Sequence, residues 1–315
     1  MAVLKGFPAR EVKRSKLKLG YHDIQQATMY LISGMNPATL ESSGLSLLAA
    51  ASWGGGDFSG GLATKQANVF RVVAIAHGTG LIVTLAMALL VGEPVPPASS
   101  LWWGAFAGFI GAFGIAALYR ALAVGRMGVV APVAAVVTGI LPVLLGAYTD
   151  GLPDRLQLGG FALALVSISL LAGSNETANS RKGIGLAALA GVMFGLFLIA
   201  GKQAGHHGIF WPLVAARVLS TSLMGAAVLF LPRNPRPLGR VLWLVLLSGF
   251  LDTAGNALFI AATRHGRLDV AAVLSSLYPA TTVILARLLL KERIAKWQGV
   301  GIVCALVSVA LISLR

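Results

Sequence analysis

The chain is two copies of one unit. Shifted by 141 positions, Leu101 to Ala172 lies without a gap on Leu242 to Ser313. Trp102 falls on Trp243, Gly108-Phe109 on Gly249-Phe250, Gly114 on Gly255, Gly125-Arg126 on Gly266-Arg267, Gln157 on Gln298 and Gly160 on Gly301. Upstream the same shift sets Gly44-Leu45 on Gly185-Leu186, Gly54 on Gly195 and Gly60 on Gly201, and only the stretch between needs a short insertion. Alanine, leucine and valine coincide by chance in an apolar chain, so the paired Trp, Gln, Gly-Phe and Gly-Arg positions carry the repeat. Duplicated halves of this kind are a hallmark of secondary transporters.

Composition says where the halves reside. Hydrophobic residues make up 57% of the chain and charged residues 11%, against about 25% charged in a soluble domain. A membrane-spanning helix needs roughly 20 mostly apolar residues to cross about 30 Å of hydrocarbon. Ten stretches qualify or nearly so: 44–62, 69–91, 101–121, 128–148, 158–173, 184–203, 211–231, 241–262, 270–290 and 298–314. Continuous apolar runs exclude a transmembrane β-barrel, whose strands alternate. The expected fold is an all-α integral membrane protein of ten transmembrane helices. Residues 1–43 form a basic tail, 44–173 the first five-helix repeat and 184–314 the second. An odd number of spans per copy starts the two copies on opposite sides, so the repeats are expected to be inverted and to close alternately around one central site. The plain alternative is a duplicated membrane scaffold without transport.

The net charge of +14 does not point to nucleic acid. Much of it lies in Lys5, Arg10, Lys13, Arg14, Lys16 and Lys18, ahead of the first span. Basic residues there mark a cytoplasmic tail that also suits anionic membrane lipid. The tail lacks the apolar core of a signal peptide, and Met29 and Met35 leave open that residues 1–34 extend past the true start. The loops disagree with the tail: with the N-terminus inside, five basic residues lie on the cytoplasmic side and thirteen, including Lys65, Arg71, Arg120 and Lys296, on the outer side. Both orientations stay open on charge alone.

Gly56 and Gly60, Gly104 and Gly108, and Gly191 and Gly195 are small residues four apart, the spacing that lets helix backbones approach closely in lipid. Pro132, Pro142 and Pro279 stand inside spans, where each removes a backbone hydrogen bond and is a candidate helix break, either a packing kink or a gating element.

These residues resemble the drug/metabolite transporter superfamily, and within it the ten-helix proteins with duplicated EamA domains. The resemblance covers about 44 to 314. It rests on Ser52-Trp53-Gly54-Gly55-Gly56-Asp57-Phe58-Ser59-Gly60-Gly61, on Ala117-Leu118-Tyr119-Arg120-Ala121-Leu122 with Gly128-Val129-Val130-Ala131-Pro132, and on Ser275-Ser276-Leu277-Tyr278-Pro279 leading to Lys291-Glu292-Arg293. Asp150-Gly151-Leu152 departs from the usual Gly-Glu-Arg-Leu. The resemblance implies a secondary transporter of the cell (inner) membrane with cytoplasmic termini, a central cavity and often export of metabolites or toxic compounds.

Ionisable side chains inside spans are costly, on the order of 2.5 to 3.5 kcal/mol each on insertion scales, and so are expected to face water or a partner. Asp57 and Asp252 are candidate proton or cation-substrate sites, with Asn256 one turn beyond Asp252 and Arg217 as counter-charge; the alternative is a structural ion pair. His77 reads as a hydrogen-bonded helix contact. Trp53, Tyr119, Ser275, Ser276 and Tyr278 complete the expected cavity. Trp53 and Asp57 are four apart on one helix face, a pairing that suits an amphipathic or cationic small molecule.

Other chemistries find little support. Gly54-Gly55-Gly56-Asp57 formally matches the G-x-G-D of intramembrane aspartyl proteases, but no Tyr-Asp or Pro-Ala-Leu partner accompanies it. Cys304 is the lone cysteine, His206-His207 lacks further metal ligands, and no phosphate-binding loop is present. No cofactor or metal is expected. The function expected is secondary active transport by alternating access, with proton coupling, exchange and facilitated diffusion all open. Reporters fused after Gly92 and after Leu231 should report opposite sides of the membrane; the same side for both would refute the ten-helix count.

Overall fold

The computed structural model describes residues 37–125, 127–172, 183–230, 238–289 and 296–313. The basic tail, Arg126 and the Lys291-Glu292-Arg293 stretch lie outside the described residues, as does the side chain of Pro132. The α-helices are α1 Pro37–Gln66, α2 Val69–Val91, α3 Ala98–Val124, α4 Met127–Thr149, α5 Arg155–Ala172, α6 Ile184–Ala204, α7 Phe210–Phe230, α8 Leu242–His265, α9 Leu268–Ser275, α10 Tyr278–Leu289 and α11 Lys296–Ser313, with a 3-10 turn over Gly239–Val241 before α8.

This is an all-α membrane protein. Among the described residues five segments are long and apolar enough to cross a membrane: α2, α3, α6, α7 and Gly239–His265. The other expected spans differ for local reasons. α1 begins at Pro37 rather than at 44 and carries Glu41, Asp57 and Lys65; its residues Gly54 to Gly61 are all buried, so protein rather than lipid surrounds them. In α4 and α5 the apolar stretches are shorter, 133–149 and 155–170.

The ninth expected span, 270–290, is not one helix. It breaks at Ser276-Leu277 into α9 and α10. Pro279 supplies no backbone N–H and occupies the first turn of α10, where its ring is tolerated. The turn tightens to a Leu277 N–H to Leu274 carbonyl bond of 3.2 Å. Pro142 produces no such break: it is buried in α4, which is helical from Met127 to Thr149.

Helix packing follows the repeat. α1 packs on α8, and their copies α6 and α3 pack on each other. α4 packs on α6, and its copy, the α9–α10 pair, packs on α1. α2 packs on its copy α7, and α5 on its copy α11. Glycine makes these approaches possible. A Cβ on Gly104 would collide with the backbone of Pro212 in α7, one on Gly108 with the backbone of Ala216, and one on Gly249 in α8 with the backbone of Ala76 in α2. Gly191 and Gly195 of α6 lie against the Ala134 and Thr138 carbonyls of α4. Thr138 is the residue whose carbonyl Pro142 leaves without its helical donor, so α6 covers a backbone weak point. Apolar side chains such as Ile82, Leu90, Phe106 and Leu229 cover the outside, and Trp102 and Trp243, matched by the repeat, are exposed near the starts of α3 and α8, as tryptophans at a membrane interface are.

Polar contacts tie the helix ends. Asn68 caps α2 through its side chain. The Glu93 carboxylate accepts from the Ile209, Phe210 and Trp211 N–H groups at 2.6, 2.9 and 2.9 Å, and the Trp211 indole donates to the Glu93 carbonyl at 2.7 Å. A loop of the first copy thus satisfies the bare N-terminus of α7. Arg267, between α8 and α9, makes a two-pronged ion pair with buried Asp269 at 3.1 and 2.8 Å and donates to the Asp150 and Gly151 carbonyls at 3.0 and 2.8 Å. The Asp269 hydrogen bond raises the Arg267 pKa above its ordinary value despite desolvation, so this tie keeps its charge.

Close packing at Gly108 has a measurable signature. Gly108→Ala should destabilise the purified protein by about 1–3 kcal/mol through overpacking. Gly225→Ala in α7, where a Cβ meets open space, should stabilise it by about 0.5–1 kcal/mol through helix propensity. Thermal melts in detergent distinguish the two.

Candidate functional site

A cavity lies inside the helix bundle. Both copies build it: α1 contributes Trp53 and Asp57, α2 His77, α3 Gly111 and Ile115, and α4 Thr138. From the second copy come Phe194, Phe197 and Leu198 of α6, Arg217 and Ser220 of α7, Asp252 and Asn256 of α8, and Ser276 and Tyr278 at the α9–α10 break.

A connected polar chain runs along one side. Arg217, with its side chain 6% exposed, forms an ion pair with Asp252 through Nη2 and Oδ2. Asn256 Nδ2 approaches the same Asp252 oxygen at 3.4 Å, and its Oδ1 accepts from the Trp53 indole at 2.9 Å. The Trp53 ring also lies 5.7 Å from that of Phe259. Arg217 fits because α2 has a glycine beside it: a Cβ on Gly80 would stand 2.9 Å from Arg217 Nε. Pairing cancels one carboxylate, as a charge in a low-dielectric interior requires. Asp57 is buried, faces the cavity and takes no hydrogen bond from any described residue. It is the uncommitted acid of the site.

Of the residues expected from sequence, Trp53, Asp57, Arg217, Asp252, Asn256, Ser276 and Tyr278 meet at this cavity. Tyr119 and Ser275 do not line it. The Tyr119 hydroxyl lies 2.6 Å from Ser248 Oγ, its ring filling the space that a Cβ on Gly60 would need. The Ser275 hydroxyl donates to the Ala272 carbonyl at 3.2 Å. His77, expected to be a hydrogen-bonded helix contact, is buried at the cavity wall with Nδ1 unpartnered among the described residues. Sequence reasoning missed Phe194, Phe197, Leu198, Gly111 and Ile115, though the repeat could have found four of them: Phe194 matches Trp53, Leu198 matches Asp57, Gly111 matches Asp252 and Ile115 matches Asn256. Among the described residues no group of histidine, cysteine, aspartate and glutamate is placed to hold a metal ion.

Comparison with known proteins agrees with this architecture. Residues 181–314 match the EamA-like transporter family. The matched segment, which holds the second copy, is therefore similar to EamA-like transporters. A 75-residue stretch, 24% of this chain, is 33% identical to an uncharacterized protein of Methanocaldococcus jannaschii and covers 55% of it, so the chain spans about half the length of that curated relative. A solved crystal structure with 20% identity superposes with a TM-score of 0.68 over 87% of this chain and 96% of the other, a likeness of fold.

The ion pair should behave as a unit. Arg217→Met leaves the Asp252 charge unpaired in the interior and should cost roughly 3–5 kcal/mol, whereas Arg217→Met combined with Asp252→Leu should recover most of that loss. Thermal melts of the two variants test this; equal destabilisation of both would refute it.

Proposed function

We propose that this chain is a secondary active transporter built as two inverted five-helix repeats, moving a small organic metabolite or an amphipathic or cationic compound by alternating access through the central cavity. The observation that carries the reading is that matched positions of both copies converge on one site holding an uncommitted carboxylate. Exchange of each helix for its copy reproduces the principal packing pairs, which is what two bundles able to rock about a shared centre require. The break between α9 and α10 beside Ser276 and Tyr278 is further support, since interrupted helices are tolerated at membrane depth where they line a cavity. The protein resides in the cell (inner) membrane with its basic N-terminal tail and its C-terminus in the cytoplasm, and its direction is export.

Energy comes from an ion gradient, with Asp57 as the proton site. Asp252 is less suited to that role because Arg217 already occupies it. An aspartyl protease mechanism is disfavoured on the same ground: a dyad sharing one proton needs two free carboxyl groups. Exchange without a proton is the competing transport reading, and one variant separates them. In proteoliposomes, Asp57→Asn should abolish accumulation driven by a pH gradient while counterflow of substrate down its own gradient survives at least in part. Full gradient-driven accumulation by well-folded Asp57→Asn protein rules out the proton role and favours exchange or facilitation; no flux of any solute in the wild type refutes transport.

A further inference from the structure

The repeat aligns the two sides of the cavity residue by residue, and their chemistry differs at every matched position. Trp53 of α1 corresponds to Phe194 of α6, and Asp57 to Leu198. Asp252 of α8 corresponds to Gly111 of α3, and Asn256 to Ile115. All eight line the cavity. Each polar member belongs to α1 or α8, which pack together, and each apolar member to α6 or α3, which pack together. The two aromatic rings sit in matching notches. A Cβ on Gly255 would stand 2.5 Å from the Trp53 ring, and a Cβ on its counterpart Gly114 would stand 2.9 Å from the Phe194 ring. One geometry therefore occurs twice, once with a carboxylate a helical turn beyond the ring and once with a leucine.

We propose that the cavity is a two-part site for an amphipathic organic monocation, whose charged end lies at Trp53 and Asp57 and whose apolar end lies between Phe194, Leu198 and Ile115. Charge sets the valence. Arg217 neutralises Asp252, so Asp57 is the carboxylate left for a ligand, and one positive charge balances it. The Trp53 face adds cation–π attraction to the same end. On the other side no polar side chain of α3 or α6 faces the cavity among the described residues, so a second charge against those helices would lose its water without a countercharge. The site therefore selects for a molecule with a single charged end and a hydrocarbon or aryl body, and Phe194 is its specificity residue.

The proposal rests on reading this cavity as the transport site, and a binding measurement without flux keeps the two separate. Purified full-length protein is titrated calorimetrically with benzyltrimethylammonium, with tetramethylammonium, which has the charge without the ring, and with benzyl alcohol, which has the ring without the charge. Benzyltrimethylammonium should bind on the order of tenfold or more tighter than tetramethylammonium through burial of its ring, and benzyl alcohol should bind more weakly than either. Phe194→Ala should narrow the gap between the two cations to within about threefold as that burial is lost, whereas Trp53→Leu should weaken both cations, with folding of each variant checked by thermal melting. Benzyl alcohol binding as tightly as benzyltrimethylammonium, Phe194→Ala weakening both cations in parallel, or the absence of cation binding to the wild type would each overturn the proposal.

Discussion

A charge in hydrocarbon has nothing to solvate it, and the Arg217–Asp252 pair is how this bundle meets that constraint at its centre. The guanidinium on α7 needs the carboxylate on α8, so both helices must present those side chains inward. The pair needs room, which Gly80 on α2 leaves. Its remaining valences draw in Asn256 and, through Asn256, the Trp53 indole on α1. Four helices from both halves are thereby oriented by one interaction. Such a pair adds little net stability over well-packed apolar residues, because desolvation offsets attraction; what it supplies here is the register of the helices that carry it.

Around that centre, backbone proximity does the work that side chains do in a soluble core. Lipid gives helices no hydrophobic reason to associate, so contact depends on dispersion and close approach. Gly104, Gly108 and Gly249 meet backbone directly, and Gly60 accommodates the ring of Tyr119. Tyr119 in turn spends its hydroxyl on Ser248, which ties α3 to α8 without lining the cavity.

Much of this was legible in the chain. Apolar length located α2, α3, α6 and α7 to within a few residues because those helices face lipid and must be apolar on most sides. The same criterion underread α1, whose Gly54 to Gly61 run is enclosed by protein and so need not be apolar. It also ran α9 and α10 together, since Ser276 and Leu277 do not lower hydropathy enough to announce a break and Pro279 reads equally as a kink. Among site residues, charge was the visible signal: Asp57, Arg217, Asp252 and Asn256 stand out in an apolar helix. Phe194, Leu198 and Ile115 do not, because an apolar wall uses the same residues as a lipid-facing surface. Tyr119 and Ser275 were polar and inside, yet a polar side chain in a helix bundle can bond within the protein as readily as face a cavity.

The tie at Arg267 has a consequence for how the protein responds to its medium. Mobile ions screen exposed charges over about 10 Å at ordinary ionic strength and reach buried ones far less. The Lys202–Asp150 pair, 3.6 Å apart with both side chains partly exposed, is open to such screening. Arg267 instead holds an aspartate with no exposed side-chain surface and two main-chain carbonyls. That junction of the α4–α5 and α8–α9 connections therefore loses less of its attraction to added salt than the Lys202–Asp150 pair does.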